Sequence, residues 1–158
     1  MFGPTDSPTY RRNFRLGVLN GLFYLLAEVL TDPTLVLVAF ISHLTRSPFW
    51  LGLVVPLRDG AWFLPQLWVS GYLQSQPRKL PFYNRISVVR GFSFLLLVVA
   101  TLTLRSPGTL LFAFFALYAV YSVASGFGGL PFLEIVGKTV PPSQRGLYFA
   151  WRDRKSVV

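Results

Sequence analysis

The chain has 158 residues, of which 53% are hydrophobic and only 13% are charged, and its mean hydropathy is +0.51. Since soluble domains carry about 25% charged residues, this composition excludes an ordinary soluble domain and is typical of a membrane protein. The net charge of +9 does not indicate nucleic-acid binding, because the basic residues lie at the edges of apolar blocks, where membrane topology requires them.

Four apolar blocks follow a polar tail at residues 1–15, and each is long enough to cross a bilayer, which takes about 20 residues. The blocks cover residues 16–44, 49–73, 86–104 and 109–136. Helices are expected, because backbone groups in lipid must be satisfied within their own segment. The predicted fold is therefore all-α, a polytopic transmembrane bundle of four spanning helices.

The distribution of lysine and arginine places the N-terminal tail in the cytoplasm. The tail, the loop after the second block and the stretch after the fourth block each hold at least three basic residues, whereas the two alternate loops hold one each. The first block is longer than the apolar region of a cleaved signal peptide, about 7–15 residues, so we expect it to be retained. These features predict a multi-pass protein of the bacterial inner membrane.

The first block contains two carboxylates, Glu28 and Asp32. An acid at the centre of a bilayer costs about 2.5–3.5 kcal/mol, so such residues normally face a protein interior or a wet cavity. A spacing of four places both on one helix face. Asn20 adds a polar group to this helix, and Pro33 frees a backbone carbonyl nearby. We interpret them as candidates for a solute or ion pathway; the alternative is a kink with solvated acids near one membrane surface.

The second block carries Arg58 and Asp59 between two prolines, Pro56 and Pro65, which we expect to interrupt the helix. Consecutive helical residues lie about 100° apart, so these two charges cannot face one partner together. Arg58 is a candidate partner for an acid of the first block. Alternatively, both charges lie near the outer end and extend to water.

The third block is featureless beyond Arg90 and is expected to face lipid. The fourth holds a patch of small residues, followed by Pro131 and Glu134. The patch consists of Ser122, Ser125, Gly126, Gly128 and Gly129. It predicts close helix packing and a local break at residues 128–131. Glu134 lies four residues before Lys138, which suits a helix ion pair; a cavity role is the alternative.

No residue pattern indicates catalysis. The sequence has no Gly-rich phosphate loop, no cluster of metal ligands and no nucleophile with a plausible base. We therefore expect no enzyme activity, no cofactor and no metal site. The absence of cysteine excludes disulfides, and His43 is expected at the membrane interface.

The segment GYLQSQPRKLPF follows the second block, and GKTVPPSQRGLYFAWR follows the fourth. The first resembles the loop motif between the second and third helices of the major facilitator superfamily, with matches at Gly71, Leu73, Arg78 and Lys79. It lacks the motif's Asp and is shorter by about one residue. The second resembles the Pro-x-x-Arg-Gly pattern after the fourth helix of that superfamily, with matches at Pro142, Arg145 and Gly146.

This resemblance implies a secondary transporter that moves a small solute by alternating access, with a proton as a candidate coupling ion. Such transporters have about twelve helices in two pseudo-symmetric halves, so the chain would be an N-terminal part whose partners are the bilayer, the solute and the remaining helices. Helices one and four would line the path, while the third would face lipid. The missing loop Asp removes a contact that helps the superfamily to switch between states.

The last six residues, DRKSVV, match the translation of a common sequencing-library adapter. We therefore expect residues 153–158 to be non-native and the reading frame to continue in the intact gene. The alternative is a native tail on a complete four-span membrane protein, either a small dimeric exporter or a scaffold that transports nothing.

Overall fold

The computed structural model describes residues 8–74 and 78–152, and these residues are almost entirely helical, with no β-strand among them. The predicted all-α class is confirmed. The described helices are α1 (Pro8–Leu30), α2 (Val36–Leu44), α3 (Pro48–Gln74), α4 (Leu80–Thr103), α5 (Pro107–Thr139) and α6 (Pro142–Arg152). The expectation that residues 153–158 are non-native lies outside the described residues.

Two of these helices, α4 and α5, are long and apolar enough to span a membrane. They coincide with the third and fourth predicted spans. In the most apolar 18-residue stretch of each helix, 6% of the residues of α4 are buried, compared with 44% of those of α5. No other described helix meets the same criteria of length and composition.

The first apolar block forms two helices rather than the single spanning helix predicted for it. The Thr31 hydroxyl donates to the Ala27 carbonyl at 2.7 Å as α1 ends. Pro33 then offers no backbone N–H, and the Asp32 carboxylate accepts the N–H groups of Thr34 and Leu35, which directs the chain into a new helical piece. Helical structure resumes at Val36, so the two pieces are 23 and 9 residues long.

The expected interruptions at prolines are wrong for the other two helices. Helix α3 continues through Pro56 and Pro65, and α5 continues through residues 128–131, including Pro131. A proline inside a helix removes one backbone hydrogen bond and displaces one carbonyl. The remaining ladder on either side maintains both helices here.

The chain divides into two compact units, with boundaries after Thr31 and after Phe132. The first unit contains α1, α6 and the last turns of α5. Tyr148 of α6 is only 2% exposed and packs edge-on against Phe14 of α1, with ring centroids 5.5 Å apart. A Cβ at Gly17 would overlap the Tyr148 ring, at 2.8 Å from Cε2, so glycine permits this close contact.

The second unit contains α2, α3, α4 and the preceding part of α5. Its buried core draws on α2, α3 and α5, with most of the residues on α5. The core residues are Leu37, Ile41, Val54, Leu111, Phe114, Phe115 and Tyr118. Phe40 of α2 and Trp50 of α3 contact aromatic rings of this α5 segment.

The small-residue patch of α5 lies where other helices approach. A Cβ at Gly126 would lie 2.6 Å from the Trp62 carbonyl oxygen and 2.7 Å from that of Ala61, both on α3. At Gly128 the nearest atoms belong to Ile86 and Tyr83 of α4, at 3.8 and 3.9 Å. The close packing predicted from this patch is confirmed, because glycine allows backbone contact between helices.

Candidate functional site

Asp32 occupies the turn between α1 and α2. Its Oδ1 accepts hydrogen bonds from the Thr34 hydroxyl at 2.8 Å and from the backbone N–H groups of Thr34 and Leu35 at 3.0 and 2.9 Å. These donors would otherwise be unsatisfied at the start of a helical segment. Asp32 therefore initiates the second helical piece of the block.

The same contacts favour the charged carboxylate. All three donors point at one carboxylate oxygen, and hydrogen bonds of this kind stabilise the ionised form of the group. The side chain lies in a turn outside the helices. Asp32 therefore suits the role of counter-ion better than that of proton carrier.

Arg58 lies on α3, one turn after the buried core residue Val54, so both belong to one side of the helix. Arg58 is half-buried, whereas its neighbour Asp59 is exposed. This difference agrees with the 100° rotation between consecutive helical residues. The pairing of Arg58 with an acid of the first block stays a prediction.

Tyr118 of α5 joins these charges, because Arg58 and Asp59 both act electrostatically on its hydroxyl. The side chain is only 1% exposed, and its ring stacks on Phe114 and Tyr121. Asp32, Arg58, Asp59 and Tyr118 form a group that we call the polar cluster.

Two serines extend the polar cluster along α5. Ser122 and Ser125 are 3% and 7% exposed. The Ser122 hydroxyl lies within reach of the Tyr118 hydroxyl, whereas the Ser125 hydroxyl has no hydrogen-bond partner among the described residues. With Tyr118 they follow an i, i+4, i+7 spacing, which places all three on one helix face. An unsatisfied buried polar group costs about 1–3 kcal/mol, so these hydroxyls favour binding of water or a polar solute group.

The sequence interpretation missed part of this site. It assigned Ser122 and Ser125 to helix packing and did not single out Tyr118, which was counted among the apolar residues. The three-residue polar stripe in an otherwise apolar helix was the available signal.

Glu28 and Asn20 belong to the first unit, on α1, where Glu28 is half-buried and Asn20 is exposed. Helix α1 ends at Leu30, before Asp32. Glu28 and Asp32 therefore do not share one helix face, and that expectation is wrong. The pathway roles of Glu28 and Asn20 stay predictions.

Glu134 and Lys138 are both exposed and lie one turn apart near the end of α5. This position suits the ion pair suggested by their spacing. The pairing and the alternative cavity role of Glu134 both stay predictions.

The first loop motif is only partly described. Gly71 lies on α3, Arg78 is exposed, and Lys79 is 8% exposed directly before α4. The side chain of Leu73 lies outside the described residues, as do residues 75–77. The predicted basic cluster therefore precedes α4 directly, while the geometry of the complete motif is not described.

The second motif connects α5 to α6. Pro142 begins α6, and Gly146 is exposed. Arg145 donates from Nη2 to the Gly137 carbonyl at 2.7 Å and from Nε to the Val140 carbonyl at 3.1 Å. A cation with donors at a helix C-terminus satisfies its last carbonyls and complements its dipole. Arg145 therefore caps α5.

The described residues include no group of three or more His, Cys, Asp or Glu side chains that could hold a metal ion. No family model, curated protein or solved structure matches the chain. The site is therefore interpreted from its own residues.

Proposed function

We propose that the chain is the N-terminal part of a secondary active transporter, related to the major facilitator superfamily, that moves a small solute across a membrane by alternating access. The observation that carries this proposal is the polar cluster together with the buried hydroxyls of Ser122 and Ser125 in an otherwise apolar helical unit. Polar and charged groups within a membrane protein mark solute and ion pathways.

The exposure of α4 supports a location in the membrane. Its 24 residues correspond to about 36 Å of helix at 1.5 Å per residue, enough to cross a hydrocarbon core of about 30 Å. Most of its apolar side chains are uncovered, unlike those of a soluble core helix. A contiguous apolar surface of this kind requires cover by lipid or protein.

The polar cluster suggests which residues act as counter-ion, bind the solute and couple transport to protons. Asp32, held by three hydrogen-bond donors, serves as the counter-ion of Arg58. Arg58 and Tyr118, with the hydroxyls of Ser122 and Ser125, supply hydrogen-bond donors to a solute. Proton coupling is then assigned to Glu28, which lies on α1 outside the cluster.

The proposed topology has four spans and a cytoplasmic N-terminus, and the first apolar block enters the membrane as two helical pieces. Because the chain contains no cysteine, single cysteines can report on it without background labelling. The informative substitutions are Thr9→Cys, Ser47→Cys, Ser106→Cys and Ser143→Cys.

In intact cells, a membrane-impermeant maleimide is expected to label the variants at Ser47 and Ser106. The variants at Thr9 and Ser143 should react only after permeabilisation. If Ser47 also requires permeabilisation, only α4 and α5 span. Equal labelling at Ser106 and Ser143 would show that α5 does not cross, which would refute the membrane topology.

Transport is tested with the full-length protein in liposomes that contain a pH-sensitive dye, using a panel of organic anions, organic cations and sugars. We expect at least one class to drive proton movement, Glu28→Gln to abolish that movement, and Arg58→Gln to abolish solute uptake. Arg105→Gln, in an exposed loop, is the matched control. The proposal fails if Glu28→Gln and Asp32→Asn leave uptake and its pH dependence unchanged.

A further inference from the structure

An apolar groove runs along the second unit between α4 and α5. It has a volume of about 360 Å³, and its lining includes Ile86 and Val89 of α4 and Ala119, Val123 and Phe127 of α5. The groove is open to the surface, so it suits a ligand that enters sideways from the bilayer better than one that binds in an enclosed cavity.

Arginines flank the α4 edge of this groove on both sides. Arg85 lies one turn before Val89, and Arg90 lies one turn after Ile86. Around the axis of α4, each arginine is therefore rotated by about 70° from the midpoint between Ile86 and Val89, one to either side. Helical side chains lean toward the helix N-terminus, which brings both guanidinium groups toward the start of α4. Long basic side chains of this kind reach the polar interface while their stems cover apolar surface.

Basic residues are concentrated at this end of the unit. Arg78, Lys79, Arg85 and Arg90 fall within 13 consecutive positions, whereas the sequence has no acidic residue from position 60 to position 133. Neither α4 nor the part of α5 along the groove therefore supplies a carboxylate. An anion is the complementary ligand for this basic end.

A second apolar groove, of about 250 Å³, lies beside the first. Its lining includes Trp68 and Tyr72 of α3 together with Phe82 of α4, and Phe127 lines both grooves. Phe82 precedes both arginines, so the second groove lies at the basic end itself. The first groove extends to Ala119, beside Tyr121, whose ring centroid is 6.0 Å from that of Phe94, and it therefore suits one hydrocarbon chain below an anionic head.

We propose that the first groove holds an acyl chain of an anionic membrane phospholipid whose phosphate binds Arg85 and Arg90. This inference rests on the proposed membrane location. Basic pockets between spanning helices bind anionic lipid head groups in the same way. The bound lipid would cover the apolar surface of α4 that the described helices leave exposed.

The test is native mass spectrometry of the full-length protein in an uncharged detergent, with phosphatidylglycerol and phosphatidylcholine of identical chains as probes. We expect preferential retention of one phosphatidylglycerol molecule. Removing one arginine should weaken phosphatidylglycerol binding about fivefold, and the double variant R85Q/R90Q should bring it to the level of phosphatidylcholine. R105Q, at the other end of α4, should change nothing.

The apolar part of the site is tested separately with V123F, which fills the first groove, and V88F, a lipid-exposed substitution of equal size outside the groove lining. V123F should reduce retention of both lipids, whereas V88F should not. Equal retention of the two lipids by the unmodified protein would overturn the proposal. Unchanged phosphatidylglycerol binding in R85Q/R90Q would also overturn it, because these two surface substitutions leave the groove intact.

Another occupant would give a different pattern. If V123F alters the oligomeric state while lipid retention is unchanged, a helix of a second copy fills the groove and the lipid proposal is wrong. Cysteine labelling that supports four spans together with no lipid preference removes only the lipid proposal. Failure of transport with intact lipid selectivity removes only the transporter proposal.

Discussion

Gly126 provides the sharpest test of the packing within the second unit. A Cβ at this position would lie 2.6 Å from the Trp62 carbonyl oxygen, whereas an ordinary Cβ contact is 3.4–4 Å. Gly126→Ala therefore requires α3 and α5 to separate locally by about 0.8 Å, the difference between 2.6 and 3.4 Å. The neighbouring atoms are backbone carbonyls, which cannot turn aside as a flexible side chain can.

Two effects oppose each other in Gly126→Ala. Overpacking of this kind costs about 1–3 kcal/mol, while replacing a helical glycine by alanine stabilises the helix by about 1 kcal/mol. The steric cost is expected to prevail because two carbonyls, from Ala61 and Trp62, are affected together. The expected result is a loss of about 1–2 kcal/mol, which corresponds to a decrease of roughly 2–8 °C in unfolding temperature.

The matched control is Gly91→Ala, since Gly91 lies inside α4 with no neighbouring atom within 4 Å of an added Cβ. Gly91→Ala therefore gains helix propensity without a steric overlap. Thermal unfolding of the purified full-length protein in detergent should rank Gly91→Ala at or above the parent and Gly126→Ala below it. Equal unfolding temperatures for the two variants would refute the close contact between α3 and α5.

Three further substitutions test individual contacts. Asp32→Ala removes the acceptor of three hydrogen bonds at the start of the second helical piece and should lower the free energy of unfolding by about 1 kcal/mol. Asp32→Asn keeps an acceptor oxygen and should lose less, and equal stability of Asp32→Ala and the parent would contradict the capping role. Arg145→Ala removes two donors from the C-terminus of α5 and should lower the free energy of unfolding by about 1 kcal/mol, as measured by denaturant titration. Ser125→Ala deletes a buried hydroxyl that has no described partner and should leave stability unchanged or raise it by up to about 1 kcal/mol; a clear loss of stability would reveal a hydrogen bond at this site.

The helical class and the two most apolar helices followed from hydrophobic block length alone. Helices α4 and α5 match the blocks predicted at residues 86–104 and 109–136, because long apolar runs with few charges have no competing local signal. The small-residue patch also indicated close packing correctly, since glycine spacing reports directly on how near two helices can approach.

Local hydrogen-bond chemistry explains most of the differences. Asp32, followed by Pro33 and Thr34, is a helix-start signal that ends one helix and begins another, but the apolar residues around it concealed this signal. Prolines inside α3 and α5 were given too much weight, since losing single hydrogen bonds does not end a long helix. The interaction of Tyr118 with Arg58 depends on which helix faces meet, and periodicity within one helix cannot determine that.

The turn at Asp32 also bears on how the chain is made. Each of its hydrogen bonds joins residues at most five positions apart, and loops of this length close within about a microsecond. The turn can therefore form as soon as the first 40 or so residues leave the ribosome, at about 5–20 residues per second, before α3 to α6 have emerged. The insertion machinery would then receive the first apolar block as separate helices of 23 and 9 residues, and not as one continuous hydrophobic rod.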